Sequence, residues 1–378
     1  MLPLRNMSPL FSKIFSGGKK SGSVIGVDIG SSAIKVVQLA KQGDVAILET
    51  YGALALGPYA KTDIGRATNL AQSELTEALK NLMSADAARV SARRGAVAIP
   101  LNASLITVIQ MPELPEDELN RMIPIEARKY IPVPINEVML SGWPIPRSDD
   151  AEENTGGGKK TKFVDVLIAA VHNEAFSKYS GIVGDAGIEV SFYEIEAFST
   201  IRSVIEQTAK PATIVDIGAS STKIYIIESG IVRGSHITNR GAQEVTTSLA
   251  RSLGLSGAEA EQLKRRSGLE GDPSYPKMAS IITSTLEYML VEVRRIISDF
   301  EQKQKKTMGQ VILTGGGSVL KGLLLYAQKQ FSAEVLLGDP FNKVEAPAFV
   351  TDVLRKAGPE FAVAVGAALR LLQEDENP

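Results

Sequence analysis

Ser23–Leu39 reads SVIGVDIGSSAIKVVQL, and Thr213–Glu228 reads TIVDIGASSTKIYIIE. Each is an apolar run, a tight turn containing glycine, and a second apolar run. Aligned without a gap, Val27–Lys35 and Val215–Lys223 agree at six of nine positions. β-Branched residues such as Val24, Val27 and Val36, or Ile214, Ile217 and Ile224, favour strands on both sides of each turn. Gly30 and Gly218 let the turn backbone come close to a ligand. Successive turn N–H groups, with the hydroxyls of Ser31, Ser32, Ser220, Ser221 and Thr222, can then donate to phosphate oxygens. Asp28 and Asp216 stand at the strand ends, where a carboxylate can hold Mg²⁺ through water, because magnesium dehydrates reluctantly. Lys35 and Lys223 also match, and strand alternation predicts that both are partly solvent-facing. Two such copies far apart in one chain predict two similarly built lobes rather than a solenoid.

A third glycine segment lies in VILTGGGSVLKGL, Val311–Leu323. A short apolar strand enters Gly315-Gly316-Gly317, and a helical pattern of Leu320, Leu323 and Leu324 leaves it. Glycines here remove side chains, so a flat base or ribose can lie against the backbone. Neither a GxGxxG fingerprint nor a GxxxxGK[ST] loop occurs in a convincing position.

The rest of the composition excludes more than it assigns. At 378 residues the chain exceeds what one hydrophobic core usually supports. A net charge of −2 gives no general attraction to nucleic acid, and no basic patch is interleaved with aromatics. The absence of cysteine rules out a disulfide framework, a thiolate metal site and a cysteine nucleophile, and it fits a cytoplasmic protein. His172 and His236, the two histidines, read as ordinary structural residues. No segment approaches the roughly 20 apolar residues of a membrane span. Leu10, Phe11, Ile14 and Phe15, ahead of Lys19 and Lys20, read equally as a short interfacial or partner-binding helix and as a tail.

Hairpin, second hairpin, then Thr-Gly-Gly-Gly resembles, in order, the two phosphate motifs and the adenosine motif of the actin, heat-shock chaperone and sugar kinase superfamily. PEFAVAVGAALRLL near the C-terminus and IEAFSTIR from Ile195 look like its two connecting helices. The resemblance implies an α/β, actin-like two-lobed fold made of duplicated ribonuclease H-like domains. In GAEAEQLKRRSG, Glu261 and Lys264 lie three apart on one helix face, where relatives contact adenosine; the alternative is a solvated ion pair.

One segment discriminates among relatives. After Ile99-Pro100, a helix is expected from near Glu116, carrying Glu126, Ala127 and Tyr130 into Ile131-Pro132-Val133-Pro134. Pro124 is expected to delay its start to near Ile125. Residues 163–171 read as a buried strand and Asn173–Ala186 as a helix, while Ser148–Lys162 reads as a long polar loop. This insert resembles subdomain 1C of the FtsA/PilM group, and Glu126-Ala127…Ile131-Pro132 is closer to the type IV pilus assembly family PilM. The expected organisation is a tail over 1–21, subdomain 1A over 22–98 and 187–210, the 1C insertion over 99–186, subdomain 2A over 211–240 and 310–378, and subdomain 2B over 241–309.

What the family implies is a cytoplasmic protein that binds ATP and Mg²⁺ and lies peripherally at the inner membrane. It docks the cytoplasmic tail of a PilN-like membrane protein in a 1C groove, contacts other assembly-platform proteins and a motor ATPase, and can form homo-oligomers. Asp28 and Asp216 would organise the metal, and the two turns with Lys35 would hold phosphates. Glu196, with Asp28 sharing the role, would orient the attacking water, turnover being slow. The rivals are an FtsA-like cell-division tether and a small-molecule kinase. Against the first, the chain ends in acidic residues rather than an amphipathic helix; against the second, no set of substrate-binding polar residues lies between the hairpins.

Overall fold

Three sheets organise the computed structural model, which describes residues 22–86, 88–146, 162–206 and 210–374. The predicted loop from Ser148 and the tail over 1–21 lie outside the described residues, Lys162 excepted.

In the first sheet, β1 (Val24–Ile29), β2 (Ala33–Gln42) and β3 (Val45–Ala55) form an antiparallel meander. The strands β4 (Arg94–Ile99) and β8 (Glu189–Ile195) extend it in parallel, giving the order β3-β2-β1-β4-β8. The second five-stranded sheet repeats this connectivity. Its meander is β9 (Ala212–Ile217), β10 (Thr222–Glu228) and β11 (Ile231–Thr238). The parallel additions are β12 (Gln310–Thr314) and β13 (Glu334–Leu337), giving β11-β10-β9-β12-β13. The sequence repeat is therefore a repeat of topology.

Between β4 and β8 the chain builds a third, antiparallel sheet from β5 (Ser104–Pro112), β6 (Val138–Ile145) and β7 (Phe163–His172), in the order β5-β7-β6. Helix α1 (Gln72–Ser84) precedes it, α2 (Glu116–Ala127) packs on it through Leu119, Ile123 and Ala127, and α3 (Asn173–Asp185) follows it. Pro124 does not delay α2, which runs unbroken from Glu116. Pro124 and Asn120, the residue whose carbonyl the proline cannot serve, are both exposed, which limits the cost of the missing bond. The insert leans on the second lobe: Arg233 of β11 pairs with Asp165 at 3.3 Å and donates to the Pro146 carbonyl at 2.8 Å.

Two helices cross between the lobes, α4 (Glu196–Val204) and a C-terminal α10 (Ala362–Glu374). Their contact is backbone to backbone, since a methyl on Gly366 would stand 1.8 Å from the Ser199 carbonyl oxygen. On the other side a methyl on Gly26 of β1 would stand 1.9 Å from the Ala364 carbonyl oxygen. Arg202 ties the crossing, pairing with Glu194 at 2.6 Å and donating to the Gly366 carbonyl at 2.8 Å.

Both faces of β10 are buried. Thr222, Ile224 and Ile226 enter the core of the second lobe, with α5 (Ala242–Leu253), α6 (Gly257–Ser267) and α7 (Met278–Gln304). Tyr225 and Ile227, on the alternate face, join the core that contains Val27, Ile195 and Ala197 of the first lobe. Lys223 shares that alternate face.

Candidate functional site

The two Asp-Ile-Gly turns close in the same way. Gly30 N–H donates to the Ala33 carbonyl at 3.0 Å, and Gly218 N–H to the Ser221 carbonyl at 2.9 Å. A methyl would come within 3.1 Å and 2.9 Å of those oxygens, so each turn is shaped around glycine. The turns meet across the cleft, where Ser220 Oγ donates to Ser31 Oγ at 3.1 Å. Ser32 and Ser221 are partly open beside them, but Thr222 is not part of this rim. Its side chain is fully buried and donates to the Arg240 carbonyl at 2.8 Å, because alternation turns it into the second lobe.

Asp28 and Asp216 are buried at the ends of β1 and β9. Both lysines are partly exposed, as alternation predicts, with side chains 15% exposed, and both ammonium groups reach inward to carboxylates. Lys35 Nζ stands 3.4 Å from Asp28. Lys223 Nζ stands 3.3 Å from Asp216 and 3.0 Å from Glu196, the first residue of α4. Alternation names a face of the strand without saying what lies on it, and for Lys223 that is Glu196 of the other lobe.

Glu196 has no free oxygen: Oε1 accepts the Leu101 N–H at 2.7 Å and Oε2 accepts Lys223. Burial pushes its carboxyl up and outweighs the opposing pull of Lys223. Burial pulls the Lys223 ammonium down, but Asp216 and then Glu196 more than offset this, so its pKa is raised and it stays charged. Tyr179 of α3 lies in the same field; burial, then Glu196 and Asp28, keeps its phenol protonated.

The Gly315-Gly316-Gly317 turn packs on the second hairpin. A methyl on Gly315, whose φ is +81°, would fall 2.2 Å from Asp216 Oδ1, and one on Gly317 would fall 2.3 Å from Ile217 Cγ2. Gly316 differs, because a methyl there meets nothing nearer than Glu360 Cγ at 3.8 Å. Two of the glycines are thus required by packing, and only the middle one presents an open backbone face.

Glu261 and Lys264 form a buried pair at 2.6 Å rather than a solvated one. Thr246 and Arg265 also donate to Glu261, at 2.6 and 2.7 Å. Burial alone would raise the Glu261 pKa, but Lys264 and these hydrogen bonds take it below its ordinary value. A depressed carboxyl stabilises the fold above the unfolded pKa and loses that contribution as pH falls through the folded one. Glu261→Gln is expected to lower stability by about 1–3 kcal/mol at neutral pH. The deficit should shrink as urea melts are taken below the ordinary glutamate pKa of 4.5, where the wild-type carboxyl also becomes neutral.

Residues 57–71 bridge the cleft. The carbonyls of Ser31 and Ser32 accept Thr68 N–H at 2.8 Å and Leu56 N–H at 2.9 Å, which anchors the segment to the first turn. Ala67 N–H then reaches Gln243 of α5 at 2.8 Å, and Gly65 lies so close that a methyl would be 2.7 Å from Glu261 Oε1.

The donor set suits Mg²⁺ held mainly by other ligands. Among the described residues no cluster of three or more acidic or histidine side chains forms a cage. Asp28 and Asp216 offer one or two carboxylates, which is how magnesium is usually held when phosphates and water complete its shell.

Duplicated five-stranded sheets, helices crossing between them and paired Asp-Ile-Gly turns over one cleft define the actin-like ATPase fold. Residues 26–372 match the family model of the type IV pilus assembly protein PilM, and the chain belongs to that family. It is similar to the chain of a PilM–PilN type IV pilus biogenesis complex, at TM-score 0.76 and 25% identity over 93% of this chain and 99% of that one. MreB 5 of Spiroplasma citri, in a structure with AMPPNP, shares the fold at TM-score 0.52 and 10% identity over 95% and 98% of the two chains. The cell division protein FtsA of Streptococcus pneumoniae is 28% identical over 190 residues, covering 43% of this chain and 40% of that protein's length. No helix among the described residues is long and apolar enough to cross a membrane.

Proposed function

We propose that this chain is a nucleotide-regulated adaptor of a type IV pilus, or related secretion or DNA-uptake, assembly platform. In this reading it binds ATP with Mg²⁺ in the cleft and docks the cytoplasmic tail of a PilN-like membrane protein at the inner membrane. What supports it is the convergence of two Asp-Ile-Gly turns, 3.1 Å apart through Ser220 and Ser31, in a chain of the pilus family. Ser31, Ser32, Lys35, Ser220 and Ser221 hold phosphates, and Asp28 and Asp216 face the metal. Gly218 shapes the second turn, Gly316 lies against the base or ribose between Gly315 and Gly317, and Glu261 and Lys264 border the adenosine. Thr222, being buried, supports its turn rather than touching phosphate. When bound, the metal would neutralise phosphate charge.

Turnover is slow in this reading because Glu196 is held by the Leu101 N–H and by the Lys223 ammonium, and an ion-paired carboxylate is a poor base for a water. Nucleotide acts by binding one arrangement of the lobes better than another. The insert provides the docking face: Met122, Ile125 and Tyr130, on and just beyond α2, are exposed apolar side chains.

The test is calorimetry of the intact protein with a PilN-like tail peptide, with and without ATP. Binding in at least one state is expected, with affinities that differ between them. Ile125→Asp should weaken the peptide by about tenfold or more while sparing nucleotide affinity. No peptide binding in either state would remove the adaptor reading.

A further inference from the structure

The matched lysines do not do matched jobs. Lys35 pairs with Asp28 alone, within its own sheet, at 3.4 Å. Lys223 leaves its own sheet and puts its ammonium between Asp216 of the second lobe and Glu196 of the first, at 3.3 and 3.0 Å. Glu196 is fixed from its other side by the Leu101 N–H. Of the three carboxylates in the cleft floor, two are therefore already bound to one buried cation carried by the protein itself. A divalent ion approaching Asp216 would meet that ammonium at direct-contact distance. To displace it, the ion would have to move a lysine that spans the lobe boundary, held at 3.3 Å from Asp216 and 3.0 Å from Glu196.

We infer that Lys223 is a tethered cation standing in the place of a divalent ion at the second turn, so that nucleotide binding depends only weakly on Mg²⁺. The inference rests on the nucleotide reading above. Lys35 and Lys223 then neutralise phosphate charge from the two lobes, and the reading in which both aspartates face the metal narrows to Asp28, whose lysine holds no second carboxylate. A tethered ammonium differs from magnesium in one respect that matters here. It cannot leave with the product, so the charge that draws the lobes together is permanent.

The experiment uses the whole chain, ADP and Mn²⁺ as probes, and two variants. Lys223→Met removes the cation, and Lys223→Met with Glu196→Gln also removes the carboxylate that would otherwise be buried unpaired, which protects the fold. Circular dichroism melts identify the variant to be used. For wild type, ADP affinity by calorimetry is expected to change by less than about threefold between chelator and excess Mg²⁺. For the variant, affinity in chelator should fall by about tenfold or more and be largely restored by Mg²⁺. Mn²⁺ alone, followed by its paramagnetic resonance signal, should bind the variant about tenfold or more tightly than wild type. A wild type that needs Mg²⁺ as strongly as the variant, or that binds Mn²⁺ as tightly, overturns the inference. If neither protein binds ADP under any condition, the nucleotide reading falls, and the Mn²⁺ comparison alone decides whether Lys223 holds the cation position.

Discussion

Gly366→Ala is expected to cost about 3 kcal/mol or more of stability, and Gly366→Val to yield no folded protein. The new methyl would stand 1.8 Å from the Ser199 carbonyl oxygen and 2.5 Å from its carbon. Neither atom belongs to a side chain that can swing away; both are backbone of α4, which is locked by the Glu194–Arg202 pair and by Arg202 on the Gly366 carbonyl. Relief requires α10 to lift off α4, and that exposes Ala364, Val365 and Ala368, all of them buried. Gly26→Ala presses on the opposite side of the same helix, 1.9 Å from the Ala364 carbonyl oxygen, and should behave alike. Gly184→Ala in α3 is the control. Its methyl would meet nothing within 4 Å, so it should be neutral or gain roughly 0.5–1 kcal/mol from helix propensity. Urea midpoints of the three variants check this.

Gly316→Trp is expected to do the reverse, leaving stability within about 0.5 kcal/mol while weakening nucleotide binding by about thirtyfold or more. Its backbone does not need φ > 0, and its Cβ direction is open apart from the Glu360 side chain at 3.8 Å. The neighbours cannot serve this purpose. Gly315→Ala strains a φ of +81° and strikes Asp216, and Gly317→Ala strikes Ile217, so either would damage the turn itself and confound the reading. A bulky side chain at Gly316 that left nucleotide affinity unchanged would move the base away from this glycine turn.

Much of the frame was legible because its signals are local. Alternating β-branched residues and a turn glycine announced β1–β2 and β9–β10, and small residues in AVAVGAALRLL announced a helix that packs closely. What escaped reading depended on what covers each face. Alternation put Lys223 on a partly open face and the turn motif put Thr222 among the phosphate hydroxyls, yet both faces of β10 are covered, so Lys223 meets Glu196 and Thr222 enters the second core. Residues 57–71 carry no periodic pattern, and their bridge to Gln243 and Glu261 is tertiary. Pro124 misled because the cost of a helix proline was judged without knowing that Pro124 and Asn120 are both exposed.

The proposed function requires one nucleotide between the two turns, drawing the lobes together. Calorimetric titration of the intact protein with AMPPNP and Mg²⁺ tests it most directly, run beside Gly316→Trp. One site per chain is expected, with wild-type affinity in the micromolar range or tighter and a loss of about thirtyfold or more in the variant. No heat of binding from wild type at roughly millimolar nucleotide, or equal affinity in the two proteins, would contradict it.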